Sequence, residues 1–161
     1  MDMVQVDNLD GPLAEFVRTL RLPNDLRFSR RMRDWNEYKL SQELYDFVDS
    51  FIESHGEFIA NGLPAHQAPK KFKLKALMQF LANNGFSVLP NTFVVLIPLF
   101  NSSTCAKHRT GTGEWLTLRW DTGTFIRVPP GPWGREVGFD DPQPQPLYCL
   151  MIEVPLEAAN V

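Results

Sequence analysis

Cys105 and His108 lie three positions apart in the polar stretch Ser102-Ser103-Thr104-Cys105-Ala106-Lys107-His108. A thiolate is a nucleophile and a nearby imidazole can generate it, so this pair is the most direct route to covalent catalysis in the chain. The stretch supplies no third group to orient the base, and no Gly-Ser-Cys-Trp context surrounds Cys105. A Cys/His-dependent hydrolase or transferase is therefore an alternative reading, behind two others developed below.

Other chemistries lack parts. The histidines His55, His66 and His108 are dispersed, with no H-E-x-x-H and no H-x-D followed by a later His. Cys105 and Cys149 are 44 positions apart without a CxxC pair. His55-Gly56-Glu57 has the H-x-E half of a zinc deaminase but no P-C-x-x-C half. No glycine-rich nucleotide loop occurs, and Asp140-Asp141 before Pro142 reads as a turn. Neither a metal nor a cofactor is expected.

Binding chemistry is better represented. Arg27, Arg30, Arg31 and Arg33 fall within seven residues around Phe28, and Lys70, Lys71, Lys73 and Lys75 within six around Phe72. Eight cations on one face would make a salt-dependent polyanion site. Residues 34 to 57, however, carry seven acids and one Lys, which could complement both clusters within the fold. A second grouping comes from a hairpin turning at Asp121-Thr122-Gly123, which pairs Leu118 with Ile126 and Leu116 with Val128 on a core face. Trp115, Arg119, Phe125 and Arg127 then share the outer face, where Trp and Arg suit a protein contact. Trp133, in the proline-rich connection from Pro129 to Pro146, adds to that surface.

These residues must be positioned by elements. Asp10-Gly11-Pro12 followed by Leu13, Phe16, Val17 and Leu20 predicts a short amphipathic helix. Leu40, Leu44, Phe47, Val48, Phe51 and Ile52 predict a longer one from near Asp34 to about Ser54. Leu74, Leu77, Met78 and Leu81 fit a third, closing at Asn83-Asn84-Gly85. From Phe86 the period becomes that of strands: Phe93 to Phe100, Glu114 to Trp120, Thr124 to Val128 and Leu147 to Val154. Pro98 argues that the first of these is an edge or bulged strand. Asn101 to Gly113 and Pro129 to Pro146 read as connections.

The composition fits a globular chain: 161 residues, 43% hydrophobic, with 16 Lys and Arg against 19 Asp and Glu. The acidic start from Met1 to Asp10 has no apolar core, and the longest apolar run is eight residues, so no signal peptide or membrane span is expected. Two cysteines without a framework suit a reducing, cytoplasmic or other intracellular compartment.

The sequence reading is a single α+β domain, with a helical half (10–85) of three helices packed on a β half (86–156) forming an antiparallel sheet of four to five strands. The expected role is a non-enzymatic protein-interaction or assembly module, its partner another protein or a second copy. Nucleic-acid binding through the clusters at 27–33 and 70–75 is the main alternative.

Overall fold

Two capped helices form where the side chains demand them. Asp10 Oδ1 accepts the Leu13 N–H at 3.0 Å and Pro12 occupies the first turn of α1, Gly11–Thr19. Ser41 Oγ accepts the Leu44 N–H at 3.3 Å and starts α2, Gln42–Asn61. The computed structural model describes residues 3–31, 35–63, 72–80, 86–88, 90–130, 135–139 and 146–156. Everything else in it that is regular is β.

Along the chain the strands are β1 (Gln5–Asn8), β2 (Phe28–Arg31), β3 (Trp35–Tyr38), β4 (Lys73–Phe80), β5 (Phe86–Val88) and β6 (Thr92–Leu99). They continue with β7 (Ala106–Arg109), β8 (Trp115–Thr117), β9 (Thr124–Val128), β10 (Arg135–Phe139) and β11 (Leu147–Pro155). A seven-stranded sheet has the order β1-β9-β6-β11-β4-β3-β2, and a four-stranded sheet has the order β5-β10-β7-β8. All the pairings are antiparallel.

Side-chain alternation divides the core into two layers. In β6, Phe93, Val95, Ile97 and Leu99 pack toward the helices, while Val94 and Leu96 face the small sheet. In β11, Tyr148, Leu150, Ile152 and Val154 take the helix side, and Leu147, Cys149 and Met151 take the other. Such strands, covered on both faces, read as continuous apolar runs. Each fully buried Phe, Leu or Ile here contributes about 1.5–3 kcal/mol of hydrophobic stabilisation.

The α+β expectation of three helices on a four- to five-stranded sheet is corrected to a mostly-β architecture of two sheets and, among the described residues, two helices. The predicted third helix is strand β4. A register shift opposite Met151 and Ile152 inserts one residue between Leu74 and Ala76, so Leu74 and Leu77 share the helix-facing side three positions apart. A bulge thus imitates helical spacing. The start of the second helix near Asp34 is also corrected, because Trp35–Tyr38 is a strand and the cap is Ser41.

Three corrections concern the strands. β6 is central between β9 and β11, and Pro98 is accommodated because the β9 ladder covers only Val94 to Leu96. The hairpin at Asp121 to Gly123 joins two different sheets: β8 pairs with β7, and β9 lies between β1 and β6. Leu118, Ile126 and Val128 still point into the core between the sheets, but Leu116 is exposed. Finally, the two stretches read as connections contain β7 and β10, the middle strands of the small sheet.

Among the described residues no helix is long and apolar enough to cross a membrane.

Candidate functional site

The inner face of the small sheet carries the polar side chains that the core does not explain. His108 on β7 stands opposite Val137 on β10 and Leu116 on β8. It shares its face with Ala106, and Arg135 lies two residues from Val137 on the same side of β10. Both His108 and Arg135 are buried. Arg135 Nε donates to the Pro129 carbonyl at 3.0 Å. Among the described residues, His108 Nδ1 has no hydrogen-bond partner, nor does Nε1 of the fully buried Trp120. Trp120 packs edge-on against Phe80 and Phe139, with centroids 6.2 and 5.3 Å away.

Burial, and then the positive charge of Arg135, lower the His108 pKa below the ordinary imidazole value. At neutral pH the ring is neutral, and Nδ1 can accept or donate one hydrogen bond according to tautomer. Leu116 is exposed beside it, so the His108 end of the inter-sheet core borders the surface.

The residues picked out as a hairpin face do not converge. Trp115 lies exposed on the outside of the small sheet, with Lys107 Nζ 4.9 Å and the Arg109 guanidinium 5.9 Å from its ring centroid. Arg119 pairs with Asp121 at 2.5 Å in the connection to β9. Phe125 and Arg127 are buried on the helix side of the large sheet. Phe125 meets Phe51 and His55, while Arg127 pairs with Asp7 at 2.9 Å, bonds Gln5 and lies over Phe58. Trp133 lies outside the described residues.

Only part of each cationic cluster falls within the described residues. Arg27 precedes β2, Arg31 ends it with its guanidinium over Phe28, and Lys73 opens β4. Arg31 is in register with Asn36 and through it with Gln79, six residues along β4 from Lys73. That separation is about 20 Å at strand rise. Arg30 and Lys75 lie in β2 and β4, with side chains outside the description; Arg33, Lys70 and Lys71 fall outside the described residues. Among the described residues the acids of α2 make no ion pair with these clusters.

Cys105 and His108 are placed differently. Cys105 precedes β7, its N–H donated to Ser103 Oγ at 2.9 Å, and strand parity puts it off the inner face occupied by His108. Sequence reasoning missed Arg135 and the inward setting of His108. The available signal was the alternation Ala-Lys-His-Arg, which is a strand pattern inside an apparently polar connection.

No family model and no curated protein matches the sequence. In shape, the chain is similar to a Shewanella oneidensis protein provisionally named an oxygenase, with TM-score 0.59 and 13% identity over 96% of this chain and 82% of that one. It is also similar to a Pseudomonas putida prolyl-4-hydroxylase, with TM-score 0.56 and 7% identity over 96% of this chain and 93% of that one. The likeness is one of fold.

This overturns the expected non-enzymatic interaction module, together with its nucleic-acid-binding and Cys/His hydrolase or transferase alternatives. The hairpin face on which that module rested is divided between two sheets, and the two proteins of similar shape are named as an oxygenase, provisionally, and a prolyl-4-hydroxylase.

Non-haem iron oxygenases bind their metal through two histidines and one carboxylate, leaving positions open. Among the described residues no three His, Cys, Asp or Glu side chains gather in this way. His108 is on the inner face of the small sheet, whereas His55 lies beyond the large sheet between Phe51 and Phe125. The described residues do not fit such a centre.

Proposed function

We propose that the chain is an oxygenase-like enzyme whose substrate enters between the two sheets at the His108 end. The observation that carries this reading is the buried His108 ring, neutral at neutral pH and, among the described residues, unpartnered at Nδ1, on the inner face of a fold similar to an oxygenase and a hydroxylase. A neutral imidazole in this position can hold or take a proton at the reacting group of a bound substrate. Trp120 Nε1 supplies a second, fixed donor in the same core.

The test is oxygen uptake by the purified chain, with and without added ferrous iron, in the presence of a proline-containing peptide and a two-electron reductant such as ascorbate, which accounts for the second oxygen atom as water. Mass spectrometry would detect addition of one oxygen atom to the peptide. The proposal expects uptake that falls about a hundredfold or more in His108→Ala and survives in Trp115→Ala. No uptake under either condition, or uptake indifferent to His108→Ala, would overturn it.

A further inference from the structure

A cavity of about 320 Å³ lies on the helix side of the large sheet, away from His108, between the α1–β2 connection, the β3–α2 connection and the end of β6. This is within the range of small-molecule sites. Leu40, Leu44, Leu77 and Phe100 give it an apolar wall.

Two further observations bear on its use. The first is backbone strain at Phe100, which adopts φ 66° while the Asn101 N–H donates to the Leu99 carbonyl at 2.7 Å. This is the strained, positive-φ form of the γ-turn, unusual for a bulky residue. It holds the ring in the cavity wall, edge-on to Tyr148 at 5.4 Å. Strain of this kind clusters at ligand sites.

The second is charge. Arg27 and Lys39 both line the cavity and stand opposite one another, with the Lys39 N–H donating to the Arg27 carbonyl at 2.9 Å. Like charges set opposite across a strand pair repel. Neither makes an ion pair among the described residues. Arg21 also lines the cavity, its Nη1 donating to the Arg18 carbonyl at 3.0 Å, and the acids Asp25 and Glu43 complete the charged lining. Three cations against two acids leave an excess of one positive charge.

We propose that this cavity is a binding site for a small amphipathic carboxylate. Its hydrocarbon chain packs on Leu44, Leu77 and Phe100, and its carboxylate pairs with Arg27 and Lys39. The site is separate from the inter-sheet space of the proposed reaction, so either assignment can fail without the other.

Calorimetric titration of the 161-residue chain with octanoate, octylamine and octanol tests the assignment. Octanoate is expected to bind at least about tenfold more tightly than octylamine, a difference of about 1.4 kcal/mol. The double variant Arg27→Glu, Lys39→Glu should reverse this order, and Phe100→Gly, which suits the left-handed backbone, should weaken octanoate while retaining the native circular dichroism. Equal binding of all three probes, no binding of any, or octanoate binding unchanged by charge reversal would overturn the proposal.

Discussion

The backbone N–H of Asp10 donates to His55 Nε2 at 3.2 Å, joining the start of α1 to α2 across 45 residues. The imidazole is also held between Phe51 and Phe125, with ring centroids 5.3 and 4.8 Å away. One side chain thus ties both helices to β9. Replacing His55 with Ala should cost about 1–3 kcal/mol, measured by urea unfolding, because it strands a half-buried donor and opens a gap between two rings. Asp10→Ala, which removes the α1 cap, should cost about 1 kcal/mol. The double variant should cost less than the sum, because the two residues share a contact.

Gly123 has φ +93°, and a Cβ there would meet only Arg18 Nη2, at 3.9 Å. Gly123→Ala should therefore destabilise by about 1–2 kcal/mol through backbone strain alone. Gly11, in the first turn of α1, has open space around it and no positive φ. Gly11→Ala, free of positive-φ strain but restricted by the following Pro12, should change stability by less than about 1 kcal/mol in either direction. Thermal denaturation of both variants separates conformational strain from crowding.

The lowered pKa of His108 has a direct consequence for stability. Above the unfolded imidazole value, about 6.5, both states are neutral at this residue. As pH falls below it, the unfolded chain binds a proton that the native chain resists, so stability declines until the folded pKa is passed. Denaturant midpoints measured between about pH 7 and 5 should fall on acidification, and His108→Gln should flatten that part of the profile.

Trp120 is fully buried with its Nε1 unpartnered among the described residues. Trp120→Ala should cost about 3–5 kcal/mol by leaving a cavity against Phe80 and Phe139. Trp120→Phe should cost well under half of that, because the smaller ring also removes a buried donor worth about 1–3 kcal/mol when unsatisfied. Equal losses in equilibrium unfolding would show that the indole N–H is satisfied in solution.

Local rules make parts of this molecule legible from its residues. The cap Asp10, the helix stripe Leu44 to Ile52 and the positive-φ turn glycine at 123 are each set by nearest neighbours, and each stands where expected. Sheet membership is set by partners far along the chain, and there the pattern misleads. Leu74 and Leu77 carry helical spacing because of a bulge, and Trp35 to Tyr38 is short enough to be absorbed into a neighbouring helix stripe. His108 was visible as a chemically capable residue. Its role depends on β7 lying between β10 and β8, which no residue near His108 encodes.

The place of β11 has a consequence for how the protein is made. Among the described residues the large sheet consists of β1-β9-β6 on one side and β4-β3-β2 on the other, joined by β11. Because β11 follows all of these strands in the chain, a growing polypeptide holds two half-sheets with open apolar edges until residues 147–155 emerge from the ribosome. Closure then requires pairing over long sequence separations, a slow step during which exposed edges favour association with other chains. In that interval the two open edges, those of β6 and β4, are the places on the large sheet where another chain could pair.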